Sequence, residues 1–255
     1  MFNLSMKCLK MEKKLIDIGT HKLQVVISEI PSKATIILEA GGGDSSAYYH
    51  DLQDTLASRA HMRVVSYDRS GFGESELGPE KFNALDEVQA LRKCLELQGI
   101  KGDLIIVGHS YGGYLAQLFT ALFPELVIGL VLVDPMNILF IDRIGLERLN
   151  AATPYFDNPI ENHEKAGNRM VDSFSESLDF LRGKKLPKEL PVYLITAENF
   201  PTVPELWRKC HTELMENSDL QKMVIAEGTT HMIWQEKPEF VQDKIIELIK
   251  SNNLG

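Results

Sequence analysis

Short runs of β-branched and aliphatic residues alternate along this chain with longer stretches whose apolar residues recur every three or four positions. Residues 22–28 (KLQVVIS) and 35–38 (TIIL) predict strands, separated by a turn at Pro31-Ser32. Residues 45–59 have helical spacing, with Tyr48, Leu52, Thr55 and Leu56 on one face. A strand follows at 63–67 (RVVSY), then a helix over 84–97 in which Leu85, Val88, Leu91 and Leu95 mark a single buried face. Next come a strand at 103–107 (DLIIV), a helix over 111–123 stopped by Pro124, and 127–133 (VIGLVLV). That last run is almost wholly apolar, as expected of a strand covered on both faces.

The alternation lapses over 135–187, which is richer in polar residues and reads as several short helices, and resumes at 192–196, 204–217, 222–225 and 238–251. Alternating strands and helices predict an α/β fold: a mostly parallel central sheet flanked by helices, here with a small helical cap inserted. The expected organisation is a core formed by 1–134, with 1–11 a loose tail, a cap at 135–187, and the rest of the core at 188–255. The insertion carries apolar residues (Leu139, Phe140, Leu146, Leu149, Phe174, Leu178, Phe180, Leu181) that need a surface to cover, so it reads as a lid over a pocket.

Composition narrows the function classes. The 255 residues are 44% hydrophobic, enough for one large core. A net charge of −9 with scattered cations argues against a nucleic-acid partner. Three cysteines (Cys8, Cys94, Cys210) with no CxxC pair fit a reducing, cytoplasmic setting better than a disulfide framework. The first residues mix lysines with isolated apolar residues, unlike a secretory signal, and no apolar run is long enough for a membrane span. No histidine pair has metal-ligand spacing, so neither metal nor cofactor is expected.

The strongest chemical signal is Gly108-His109-Ser110-Tyr111-Gly112, with an apolar strand before it and an amphipathic helix after it. In that setting the serine sits on a tight strand-to-helix turn in a strained conformation, and larger residues at Gly108 and Gly112 would collide. Its hydroxyl needs a base, and His231 offers one in the loop before the last helix (Gly228-Thr229-Thr230-His231-Met232). His109 reads as packing; His21, His50, His61, His163 and His211 read as surface or local polar residues. An oxyanion hole is expected from the Tyr111 N–H and the Gly42 N–H in Glu39-Ala40-Gly41-Gly42-Gly43. Gly43 is the alternative donor and a substrate-facing position. Tyr48, Tyr49, Tyr111 and Trp234 suggest an apolar pocket, with Trp234 as a substrate-binding residue.

Together GHSYGG, EAGGG, YDRSGFGES (67–75) and GTTHMIWQEKPEF (228–240) resemble the α/β-hydrolase superfamily, in its motif order and over about 23–249. The resemblance implies the α/β-hydrolase fold, and makes Asp68 to Gly73 a structural turn beside the pocket. Ala40 stands where histidine is usual, a change that backbone donors tolerate. The triad carboxylate departs from the pattern. Many relatives place an aspartate after the penultimate strand, but if Pro201 and Val203-Pro204 match the usual ending, that position holds Phe200. Asp134, at the end of 127–133, is the preferred substitute; Glu198 is the runner-up, and the absence of any catalytic acid is the third reading. Both carboxylates keep the chain order Ser, acid, His.

These residues predict a serine hydrolase acting on a small acyl substrate such as an ester, thioester or lactone through an acyl-Ser110 intermediate. Serine at this position argues against epoxide-opening or dehalogenating chemistry, which relatives perform by carboxylate attack. Two alternatives stay open. One is a catalytically weak scaffold that binds a ligand or regulates a partner. The other is a peptidase or amidase whose cap carboxylate (Glu147, Glu161, Glu164 or Glu176) holds an amine.

Overall fold

The computed structural model describes residues 11–255; Cys8 and all of the expected tail except Met11 lie outside the described residues. The strands are β1 (Met11–Asp17), β2 (Lys22–Ser28), β3 (Thr35–Glu39), β4 (Arg63–Tyr67), β5 (Leu104–His109), β6 (Val127–Val133), β7 (Val192–Ala197) and β8 (Gln221–Ala226). The helices are α1 (His50–Ala60), α2 (Ala84–Leu97), α3 (Tyr111–Leu122), α4 (Ile138–Ile144), α5 (Leu146–Ala152), α6 (Asn162–Asp172), α7 (Phe174–Asp179), α8 (Pro204–Leu214), α9 (Ile233–Glu236) and α10 (Pro238–Ser251). One sheet runs in the order β1-β2-β4-β3-β5-β6-β7-β8. The β1/β2 and β2/β4 pairs are antiparallel and all other pairs parallel.

Successive strand residues point to opposite faces, and the core divides accordingly. Ile37, Ile106, Leu130, Leu132 and Leu194 pack with Val88, Leu91, Leu115 and Phe119 of α2 and α3. Their neighbours Ile36, Leu38, Ile105, Val131 and Ile195 pack with Leu52, Leu56, Val241, Ile245 and Leu248 of α1 and α10. Burial of each such side chain contributes about 2 kcal/mol, which makes the sheet a rigid base for the loops at its edge. Asn83 starts α2 by accepting the Leu85 and Asp86 N–H groups, while Asp86 accepts the Asn83 N–H. This reciprocal cap fixes the helix start.

Two expectations change. β1 is a strand where the sequence shows only mixed charge: it pairs along its full length with β2, from Met11↔Ser28 to Asp17↔Lys22. Its outward residues, Lys13, Leu15 and Asp17, are exposed, so an edge strand carries little hydrophobic signal. The helix expected over 45–59 is split into a 3-10 turn at Ser46–Tyr49 followed by α1. Tyr49 is buried there and Tyr48 is 51% exposed, so Tyr48 is not on the packed face. Between β6 and β7 lie the four short helices α4 to α7, and no helix among the described residues is long and apolar enough to cross a membrane.

Candidate active site

Ser110 follows β5 and is the N-cap of α3, with φ 53° and ψ −121°. An L-residue at this φ is strained by about 1–3 kcal/mol, a cost that persists only where the surroundings fix the turn. Here Ser110 N–H donates to Val133 O at 3.1 Å, and Met136 N–H donates to Ser110 O at 2.8 Å. The flanking glycines are required by contact. A Cβ on Gly108 would lie 2.5 Å from Gly112 O, and one on Gly112 would overlap the Glu39 and Ala40 carbonyl oxygens. Gly112→Ala is therefore expected to destabilise the fold by about 3 kcal/mol or more, read as a lower urea midpoint.

Asp134 ends β6 two strands' width from the tip of β8, also at positive φ (44°), with its N–H donated to Ile195 O at 2.7 Å. Its carboxylate is fully buried. Oδ1 accepts the Trp207 Nε1–H at 2.7 Å and the Ala197 N–H at 2.9 Å. Oδ2 lies 2.6 Å from His231 Nδ1, and His231 Nε2 lies 2.8 Å from Ser110 Oγ. A carboxylate only accepts, so His231 carries its proton on Nδ1 and leaves Nε2 to accept from the serine hydroxyl. Burial by itself would raise the Asp134 pKa. The hydrogen bond and charge of His231, aided by the Ala197 N–H, outweigh burial and hold it below the ordinary aspartate value.

Glu198 does not join this chain: its Oε2 accepts the Gly228 N–H at 2.6 Å and holds the loop that carries His231. Phe200 stacks on Trp207 at 4.0 Å between ring centroids and meets the His231 ring edge-on at 5.6 Å. An aromatic pair thus covers the flank of His231, and its indole N–H binds Asp134. Trp207 had no signal in the sequence beyond its place on an amphipathic helix.

Two further histidines lie beside Asp134 and His231. His211 is not a surface residue: it is fully buried beside Asp134. Its Nε2–H donates to Pro135 O at 2.9 Å, and its Nδ1 accepts from Thr196 Oγ1 at 2.8 Å. Both ring nitrogens are satisfied in the neutral form, and burial lowers its pKa further. His109 is packed as expected but also touches the site, since its Nε2–H donates to His231 O at 2.9 Å and the two rings lie 4.8 Å apart. Burial, then the neighbouring His231, pushes the His109 pKa down to about 3. The unfolded chain therefore takes up a proton at this residue below about pH 6.5 while the native state does not. Stability is expected to fall as pH drops from about 6.5, by roughly 1.4 kcal/mol per unit from His109 alone. Urea unfolding at several pH values should show a shallower slope for His109→Gln than for the wild type.

The expected oxyanion donors sit together. Tyr111 is the first residue of α3, where an N–H has no acceptor within the helix. Gly42 lies against it: a Cβ on Gly42 would be 3.6 Å from Tyr111 Cβ. The glycine loop is clamped from below by Arg69, whose guanidinium donates to Ala40 O and, at 2.6 Å, to Gly41 O. Arg69 is buried between Glu39 and Glu87, at 3.3 and 3.2 Å. Burial raises the Glu39 pKa to about 7 against the lowering pull of Arg69. The 68–73 turn is thus a scaffold for the glycine loop.

Above these groups is a cavity of about 660 Å³ lined by Ser110, His231, Gly42, Gly43 and Tyr111 below, and by Phe140, Ile141, Leu149, Met170 and Phe174 from the inserted helices. Trp234, expected to bind substrate, does not line it. Its ring packs on Tyr49 at 5.0 Å and Tyr48 at 5.6 Å, behind His109 at 6.1 Å. None of Glu147, Glu161, Glu164 and Glu176 lines the cavity either; Glu164 instead accepts the Ile160 and Glu161 N–H groups. Among the described residues no three His, Cys, Asp or Glu side chains converge as metal ligands.

Comparison with known proteins places this architecture. An uncharacterized protein, YqjL of Bacillus subtilis (strain 168), is 25% identical over 227 residues, covering 85% of this chain and 84% of its own length. A proline iminopeptidase of Lactobacillus helveticus (strain DPC 4571) is 30% identical over 133 residues, which is 49% of this chain and 44% of the relative. The structure of potato (Solanum tuberosum) epoxide hydrolase I superposes with a TM-score of 0.72 at 15% identity, covering 95% of this chain and all of that one, a likeness of fold. Residues 36–243 match the model of the alpha/beta hydrolase family. A match that begins in β3 and ends in α10 takes in both halves of the sheet and all the loops of the site: the chain belongs to the alpha/beta hydrolase family.

Proposed function

We propose that this protein is a serine hydrolase that cleaves esters or closely related acyl bonds, with Ser110 as nucleophile, His231 as base and Asp134 as the orienting acid. The observation that carries the reading is the unbroken chain from Ser110 Oγ to His231 Nε2 (2.8 Å) and from His231 Nδ1 to Asp134 Oδ2 (2.6 Å). As Ser110 Oγ attacks the carbonyl carbon, its proton passes to His231 Nε2. The resulting imidazolium is stabilised by the buried Asp134 carboxylate. Negative charge moves to the former carbonyl oxygen, which meets the N–H groups of Gly42 and Tyr111 at the positive end of α3. His231 then protonates the departing alcohol, leaving an acyl group on Ser110. Water repeats the sequence: His231 takes its proton, hydroxide adds to the acyl carbon, and Ser110 regains its proton as the acid leaves.

Helices α4 to α7 act in this reading as a cap whose apolar side chains take up the acyl or alkyl group. Peptidase action on a free N-terminus, suggested by the iminopeptidase relatives, fits less well because no carboxylate lines the cavity to hold an ammonium group. Opening of an epoxide by an enzyme carboxylate is disfavoured by Ser110 at the turn. A fluorophosphonate probe tests the assignment. The wild type is expected to gain one covalent adduct at Ser110, and none after Ser110→Ala; a folded wild type that stays unlabelled would overturn it.

A further inference from the structure

The cavity above Ser110 changes character along its length. Its deep part is buried and apolar, with Met136, Phe140, Ile141, Met170 and Phe174. Its solvent-facing rim carries Arg148 on α5 and His163 on α6, both exposed. No Asp or Glu lines it, although the chain has 36 acidic residues against 27 Lys and Arg.

Arg148 differs from the other arginines. Of the nine in the chain, seven aim the guanidinium at a carboxylate or a backbone carbonyl. Arg148 has no such partner among the described residues, and Arg63, the other exception, lies away from this cavity at the start of β4. The acids near Arg148 in sequence do not answer it. Glu147 is its immediate neighbour on α5, and adjacent helical residues do not face each other. Glu164 is taken up by backbone N–H groups at the start of α6. A free guanidinium fork at the mouth of an apolar cavity is a receptor for a planar anion, a carboxylate above all.

The length of the apolar part follows from α6. His163, Gly167 and Met170 of α6 line the cavity at helical spacing, and Phe174 at the start of α7 follows them. Met170 reaches the glycine loop, with its Cε 3.4 Å from where a Cβ on Gly42 would be. His163 is two turns earlier, about 10 Å along the axis. We infer that the site takes esters bearing a carboxylate at the far end of an apolar chain of medium length, and that Arg148 binds that carboxylate. The inference rests on the hydrolase reading above for the bond cleaved, but the anion subsite itself does not.

The test has a turnover arm and a binding arm. Turnover compares kcat/KM for p-nitrophenyl octanoate with that for the mono-p-nitrophenyl ester of octanedioic acid. It also compares octyl acetate with the acetate ester of ω-hydroxyoctanoic acid, which moves the carboxylate to the alcohol half. At least one charged ester is expected to exceed its neutral partner by about tenfold, the scale of one charge-assisted contact. Arg148→Ala should abolish that preference, bringing each charged ester level with its neutral partner; Arg148→Lys should restore part of it. Preference in the first pair assigns the carboxylate to the acyl half, and in the second to the alcohol half. No preference in either pair, or one that survives Arg148→Ala, overturns the inference. Calorimetry on Ser110→Ala with monomethyl octanedioate and methyl octanoate reads the subsite without chemistry, and the charged ligand should bind about tenfold tighter only while Arg148 is present. If that difference holds but no ester is cleaved, the hydrolase reading fails and the anion subsite stands; equal binding overturns the subsite.

Discussion

Ser110→Ala is expected to lower kcat on an aryl ester by about 10⁶-fold while leaving the fold intact. The size follows from what one oxygen does here. Ser110 Oγ is the atom that His231 Nε2 addresses at 2.8 Å, and the strained turn holds it in the cavity that Gly42 and Tyr111 also line. Without it the imidazole has no positioned proton to take, and the reaction falls back on water attacking a carbonyl polarised by two N–H groups. Alanine relieves nothing that the sheet depends on, since the turn is held by backbone bonds to Val133 and Met136. Circular dichroism and a urea titration should therefore match the wild type while turnover collapses. A Ser110→Ala protein that keeps more than a small fraction of wild-type turnover would remove Ser110 from the mechanism.

Asp134→Asn carries the second-largest expected effect, a loss of about 10⁴-fold in kcat, against a change of at most a few-fold for Glu198→Gln. The difference follows from the partners of Asp134. Its Oδ1 accepts two N–H groups, from Trp207 and Ala197. An asparagine must keep its carbonyl oxygen there, which turns its NH₂ toward His231 Nδ1. That nitrogen then has to accept, so the imidazole proton moves to Nε2 and can no longer receive the serine proton. The substitution preserves shape and reverses the tautomer. Glu198 holds only the Gly228 N–H on an exposed loop, so its amide leaves the imidazole untouched. If Glu198→Gln is the crippled variant and Asp134→Asn is not, the roles are exchanged.

Much of this site was legible in the chain because its signals are local. The turn at Ser110 depends on the strand before it, the helix after it and two glycines that admit close backbone, all within residues 104–122. The alternating core strands and the helix face of α2 are likewise read from a short window, since their periods are properties of the backbone. β1 escaped because an edge strand with one solvated side has no apolar run to show.

The acid was a different kind of problem. From sequence, Asp134 and Glu198 both follow parallel strands and both lie between Ser110 and His231. What separates them is the sheet order and the packing at its edge. β6 lies directly beside β5, with His109 opposite Val133, which brings Asp134 next to the serine turn. Trp207, from a helix 73 residues further on, supplies the N–H that fixes the carboxylate. Phe200 fills the flank of His231 beside Trp207, and His211 is neutral because it is buried against Thr196 and Pro135. Trp234 was misplaced for the same reason: its aromatic character is in the sequence, but the side of His109 on which it packs is not. The sequence alone determined the parallel fold, the turn at Ser110, the glycine loop and the loop that carries His231, because each is set by residues close in the chain. The tertiary structure decided which carboxylate meets His231, which side chains wall the cavity and which arginine stands at its rim, because hydrogen-bond partners tens of residues apart meet only once the sheet has ordered its strands.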